Sequence, residues 1–288
     1  MAGKFGVIGF GTMGSEIGLL AACAGDNVVV LDRFLDDNDR ALKRLAQTLR
    51  RQSRNGNFFA GEAIATDDGR DEIISRISFT DTESGLEGCG FIVEAAPEDV
   101  KLKHEILSAV AGQVGETAII ASNTSSISIT EIASAVSHPD RVVGMHFFNP
   151  PVQMDLVEVI PGLSTSEAVL EQAEQMALRL GKKAIRVRET PGFVVNRILL
   201  AMMVEAISLA ESGISSMEDI DEAMRLGAGW PMGPFRLADL VGLDVIDHAC
   251  QGIYSELGDP KFKPPVLLRR YVRAGRLGRK TRHGFYKY

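Results

Sequence analysis

"VIGFGTMGSEIG", residues 7–18, places three glycines, Gly9, Gly11 and Gly14, in a G-x-G-x-x-G spacing, with Thr12 and Met13 between the last two. Alone, this spacing marks little more than a turn, and its setting decides the reading. The run "KFGVIGF" (4–10) reads as a buried strand, and the small, apolar residues 12–25 read as a helix. Strand, glycine turn and helix in that order open a βαβ unit. The glycines then allow a tight turn and close approach of backbone to a pyrophosphate. The N–H groups at the helix start add partial positive charge. The next strand-like run, "NVVVLD" (27–32), ends in Asp32, a carboxylate suited to accept from both ribose hydroxyls. Gly9, Gly11, Thr12, Met13, Gly14 and Asp32 therefore form a candidate dinucleotide site. Asp32 would repel a 2′-phosphate and favours NAD, while Arg33 beside it is the feature that would suit NADP.

Working outward, β-branched runs alternate with helical periods as far as about residue 188. Further strand candidates are 89–96, 117–122, 141–148, 155–160 and 184–189. Several are near-continuous apolar runs, as expected of strands covered on both faces. Leu42, Leu45 and Leu49 recur at helical spacing within 36–54, as do Leu102, Ile106 and Val110 later. The expected fold is α/β: a Rossmann-like doubly wound sheet over 1–188, followed by an all-α domain over 189–288. In the second part, "TPGFVVNRILLAMMVEAISLAESG" (190–213) suggests a helix with Thr190 as N-cap, Pro191 at the first helical position and Gly213 as the stop. So apolar a helix should be buried on most sides, by its own domain and by a partner subunit, which hints at a homodimer. Helical stretches are expected near 216–226, 233–257 and 265–274.

Bulk properties narrow the function. A net charge of -7 argues against general nucleic-acid binding. Cys23, Cys89 and Cys250 are odd in number and far apart, which suggests free thiols in a reducing compartment rather than a zinc site. The longest apolar run, 198–210, contains Glu205 and is too short to span a bilayer. The first strand-like run starts at Phe5 and the glycine motif follows by Gly9, so no leader peptide is expected, and the expected location is cytoplasmic.

"RVVGMHFFNPPVQMDLVEVIPG" (141–162) holds the chemistry. His146 sits in one apolar run and Glu158 in the next. A lone histidine in such a run is usually a core residue bonded to backbone. Here it lies near the C-terminal end of a sheet strand, the edge at which doubly wound folds bind ligands. The two prolines that follow force a turn, so an antiparallel return would bring Glu158 alongside. A neutral imidazole suits removal of a hydroxyl proton during alcohol oxidation, and a buried carboxylate would fix its tautomer. The hydroxyls of "ASNTSSISIT" (121–130) should lie at the same edge, although Ser126 or Ser128 equally suits a helix N-cap. Asn196 in the apolar helix reads equally well as a buried structural amide.

Taken in order, "VIGFGTMG", "VEAAPEDVKLK", "SNTSS", "MHFFNPP", "LVEVIPG", "TPGFVVNR", "GWPMGPFRLADLVGLDV" and "LGRKTRHGFYKY" resemble the 3-hydroxyacyl-CoA dehydrogenases along the whole chain, especially the short bacterial 3-hydroxybutyryl-CoA type. The resemblance implies that His146 is the catalytic base and Glu158 its partner, with Ser125 and Asn196 contacting the substrate oxygen. It implies cofactor contacts at Glu98, Lys103, Asn149 and Lys280. It implies an acyl-CoA substrate, with Thr48, Arg51 and Arg54 of "TLRRQSRN" meeting the CoA phosphates; the same residues also read as a solvated basic helix face. The chain departs from the pattern at Arg282-His283 and in "VQMDLVEV", where Asp155 stands in a segment that often bears lysine. Alternatives within reach are a dicarboxylic 3-hydroxyacyl-CoA, a CoA-free hydroxy acid, or a non-enzymatic NAD-binding protein.

Overall fold

The computed structural model describes residues 3–33, 38–56 and 64–288. Residues 36 and 37, where the predicted helix 36–54 begins, lie outside them. The chain divides into two compact units, Met1–Glu189 and Thr190–Tyr288.

The first unit is built on one eight-stranded sheet. Its strands are β1 (Lys4–Ile8), β2 (Asn27–Leu31), β3 (Ile77–Thr80), β4 (Phe91–Glu94), β5 (Ile119–Ser122), β6 (Val142–Phe147), β7 (Leu156–Pro161) and β8 (Lys183–Arg186). Their order is β3-β2-β1-β4-β5-β6-β7-β8. All neighbours are parallel except β6 and β7. The order reverses between β1 and β4, which opens a crevice at their carboxyl ends. The connecting helices are α1 (Thr12–Cys23), α2 (Asn38–Arg54), α3 (Asp67–Ser75), α4 (Val100–Ala111), α5 (Ile129–Ala133) and α6 (Glu167–Arg179). Val7, Val28, Val30, Val93 and Val143 from the strands pack with Ile17, Leu45, Leu49 and Ala173 from the helices in one core. Helices on the sheet faces explain why β4, β5 and β6 are buried along their whole length and lack polar alternation.

Two elements of this unit had no counterpart in the sequence reading. β3 is four residues of mixed character, "ISFT". α3 is mostly charged; it is started by Thr66, whose side chain accepts from Gly69 N, and by Asp67 and Asp68 in its first turn.

The second unit is helical: α7 (Val195–Glu211), α8 (Met217–Gly227), α9 (Pro234–Val241), α10 (Leu243–Leu257) and α11 (Val266–Arg273). Its core joins Leu200, Met203 and Ile207 of α7 to Phe235, Leu243, Ile246, Cys250 and Leu268. Two expectations are corrected here. The helix expected from Thr190 begins at Val195, because Gly192 and Phe193 adopt left-handed backbone (φ +74° and +48°) and hold 190–194 as a turn. The stretch 233–257 is two helices, broken at Gly242 with φ +110°.

Two buried aspartates organise the tail. Asp239 accepts from Phe285 N (2.8 Å) and Tyr286 N (2.9 Å), and Asp221 accepts from Phe235 N (2.7 Å) and the Tyr286 hydroxyl (2.9 Å). At the departure in the tail, Arg282 takes a left-handed conformation, and His283 exchanges backbone hydrogen bonds with Gly278.

Candidate active site

The glycine motif forms the turn between β1 and α1. Gly9 has φ +86°, and a Cβ there would lie 3.0 Å from the Ala95 carbonyl oxygen. A Cβ on Gly14 would fall 1.9 Å from the Gly9 oxygen, so helix and strand meet here only because a side chain is missing. Gly11 faces open space and is the N-cap of α1, with no side chain capping the helix. Thr12 and Met13 begin that helix. Asp32 lies just past β2, where its Oδ2 accepts from Phe10 N at 2.7 Å. An open, uncapped helix start beside a fixed carboxylate fits a dinucleotide: amides for the pyrophosphate and a carboxylate for the ribose.

Next to this crevice lies a buried charge network. The Glu94 side chain is fully buried at the end of β4. It accepts from Lys103 Nζ (2.6 Å), Ala96 N (2.6 Å) and the Ser122 hydroxyl (2.6 Å). Lys103, equally buried, also reaches the Ala96 carbonyl (3.2 Å) and Glu98 (3.4 Å). Glu98 in turn gathers the loop after β5. Its Oε1 accepts from the Thr124 hydroxyl (2.5 Å), Ser125 N (2.9 Å), Ser126 N (3.2 Å) and the Ser126 hydroxyl (3.1 Å), with the Ser125 hydroxyl at 3.4 Å. Burial alone would raise the Glu98 pKa; the Lys103 charge and the donors from Thr124, Ser125 and Ser126 outweigh it and hold the carboxyl below its ordinary range. Ser128 caps α5, accepting from Glu131 N.

β6 and β7 run antiparallel with His146 and Glu158 as direct register partners. His146 Nδ1 lies 2.7 Å from Glu158 Oε2, with both side chains buried. The hairpin supplies the reason: residues opposite one another on antiparallel strands project to the same face. With Nδ1–H donated to the carboxylate, the neutral ring has Nε2 as its basic nitrogen. The loop bearing Ser125 is tied to this strand, because Asn123 Oδ1 accepts from Phe147 N at 2.9 Å. His146, Glu158, Ser125, Glu98 and Lys103 thus share one edge of the sheet. Asn149 follows β6 and is exposed.

The other candidates lie on other elements. Thr48, Arg51 and Arg54 lie on α2; Thr48 bonds to the Arg44 carbonyl, and both arginines are exposed. Asn196, in the first turn of α7, is half-buried within the second unit. Lys280, also in that unit, is paired with Asp244 at 2.6 Å. Burial opposes the Asp244 charge, but the bond and charge of Lys280 prevail and lower its pKa.

Against known sequences, the 3-hydroxyacyl-CoA dehydrogenase NAD binding domain matches residues 4–190 and the 3-hydroxyacyl-CoA dehydrogenase C-terminal domain matches residues 192–288. The chain belongs to the 3-hydroxyacyl-CoA dehydrogenase family. It is 42% identical over 285 residues to a 3-hydroxybutyryl-CoA dehydrogenase of Clostridioides difficile, covering 99% of each chain. It is 40% identical over 285 residues to one of Bradyrhizobium diazoefficiens, covering 99% of this chain and 95% of that one. The solved structure of (S)-3-hydroxybutyryl-CoA dehydrogenase from Ralstonia eutropha superposes with a TM-score of 0.94 at 41% identity, over 100% of this chain and 99% of that one. As a member of this family of dehydrogenases, the protein uses NAD, bound by its first unit.

Several residues around the candidate site escaped the sequence reading. Glu94 carried a usable signal, a carboxylate closing the apolar run "FIVE". Asn123 stood in a motif already singled out. Glu16 gave none: it accepts from Val152 N at 3.2 Å, linking α1 to the loop after β6. Burial raises its pKa, against the neighbouring charges of Arg51 and Lys182.

Proposed function

We propose that the protein oxidises short-chain (S)-3-hydroxyacyl-CoA thioesters, 3-hydroxybutyryl-CoA first among them, to 3-oxoacyl-CoA, reversibly and with NAD. The observation that carries this reading is the buried 2.7 Å contact between His146 and Glu158 in a member of this family. The bound dinucleotide supplies the acceptor for the hydride leaving C3. His146, through Nε2, takes the hydroxyl proton as the carbonyl forms, and in reduction it returns a proton to the same oxygen. Glu158 is a positioning residue. It holds the ring by Nδ1 and stabilises the imidazolium as it forms. Its burial would be costly without that partner, which accounts for a carboxylate inside the apolar strand β7.

Ser125 and Asn196 are assigned to the substrate oxygen, where hydrogen bonds count most as charge changes. Glu98 and Lys103 order the Ser125 loop from below, and Asn149 and Lys280 complete the assigned cofactor contacts. Thr48, Arg51 and Arg54 on α2 are assigned to the CoA phosphates. The second unit is assigned to substrate binding and to a homodimer interface. Exposed Ile198 and half-buried Met202 on the apolar helix α7 support the latter. Among the described residues no helix is long and apolar enough to cross a membrane. The free thiols Cys23, Cys89 and Cys250 suit a reducing compartment, and on that ground we place the enzyme in the cytoplasm.

NADH oxidation with acetoacetyl-CoA is the direct test. Turnover of the thioester well above that of free acetoacetate is expected. Equal rates on the two, or none on either, would reject an acyl-CoA substrate.

A further inference from the structure

We propose that Glu83 is a cofactor-selectivity residue, which holds the Arg33 guanidinium beside Asp32 and so withholds it from a 2′-phosphate. The inference rests on the NAD-site reading above and deepens it. In sequence, Asp32-Arg33 is ambiguous: the carboxylate suits a ribose diol, and the arginine suits a phosphate. The structure gives that arginine a partner. Arg33 Nη2 donates to Glu83 Oε1, with the arginine 61% exposed and the glutamate 18% exposed. The guanidinium therefore reaches back to a carboxylate that is itself seated.

The seat is built. Asp32 N donates to the Thr80 carbonyl (3.2 Å), which fixes the end of β2 against the end of β3. Beyond Thr80 the chain turns at once, tied by Thr82 N to Thr80 Oγ1 (3.3 Å), Thr80 Oγ1 to the Thr82 carbonyl (3.1 Å) and Thr82 Oγ1 to Ser84 Oγ (3.1 Å). A Cβ on Gly85 would fall 2.3 Å from Thr80 Oγ1, so this turn packs directly on the strand end. Glu83 is thus presented beside Asp32 by a short, internally bonded turn.

The electrostatic consequence is simple. Asp32, Arg33 and Glu83 together carry one net negative charge beside the ribose. A phosphate monoester there, with a charge of about −1.5 to −2, meets repulsion, and the Arg33 fork is already engaged by Glu83. A neutral diol meets only the Asp32 acceptor. Removing Glu83 makes the group neutral and releases Arg33 towards a phosphate. Arg44, whose Nη2 lies 3.4 Å from the Phe10 carbonyl, is another cation near this edge, so the test must isolate Arg33.

The experiment is fluorescence titration of NADH and NADPH, measured as binding and at low salt, on wild type, Glu83→Ala, Glu83→Gln and the double variant Arg33→Ala/Glu83→Ala. Glu83→Ala should tighten NADPH about five- to tenfold while NADH changes less than about twofold, on the scale of one charge contact. The gain should vanish in the double variant. Glu83→Gln, which keeps the side-chain shape, should show part of the gain. No gain in either single variant, with NADH binding intact, overturns the proposal. So does a gain that survives loss of Arg33, which would assign the effect to repulsion alone. Failure of wild type to bind NADH would instead overturn the NAD-site reading beneath it.

Discussion

Glu158 is the residue proposed to position His146. It lies fully buried 2.7 Å from His146 Nδ1, so Glu158→Gln keeps the shape but removes the charge that fixes the imidazole. Turnover should fall by about 10²–10⁴, and the pH–rate profile should shift; an unchanged profile would reject the pairing. Glu98 offers a second test. Its carboxyl is held below the ordinary glutamate pKa, so its stabilising effect is complete above about pH 4.3 and is lost as pH falls through the lower folded value. In urea unfolding, the advantage of wild type over Glu98→Gln should be constant near neutrality and shrink only in acid; an advantage that grew in acid would contradict this. His146 and Glu158 were legible because each is polar within an apolar run. The joint role of Glu94 and Lys103 was not, since nothing in the spacing of two charged residues reveals that the folded chain brings them to 2.6 Å.

At the scale of elements, what could be read followed the strength of the local signal. Runs such as "RVVGMHFF" are long and apolar, and β6 lies within it. β3 and α3 are short or highly charged and are stabilised mainly by what they pack against, so their own residues carried little warning. The start of α7 moved because Gly192 and Phe193 adopt a conformation that a helical pattern cannot disclose. The glycine turn was legible as a strand–turn–helix, and its contacts in the structure yield a sharp expectation. Gly14→Ala would drive a methyl group into the Gly9 carbonyl at 1.9 Å. Calorimetry should show a loss of about 1–3 kcal/mol, and NADH titration should show binding largely abolished. Wild-type NADH affinity in this variant would mean that the β1–α1 turn is not the pyrophosphate cradle.

For the whole molecule, the division of labour is a sheet-based unit that binds NAD and presents the histidine, and a helical unit assigned to substrate and to self-association. If α7 forms the homodimer interface, sedimentation should give twice the 31.1 kDa chain mass. Ile198→Asp, at a residue 56% exposed on that helix, should shift the population towards monomer. A wild-type monomer at micromolar concentration would reject the interface. The central claim is that His146 moves the proton. The measurement closest to it is the rate of NADH oxidation by acetoacetyl-CoA in His146→Ala, taken beside NADH binding to the same variant. A fall in turnover of about 10²-fold or more with NADH affinity preserved is the result expected. Turnover within a few-fold of wild type would contradict the mechanism.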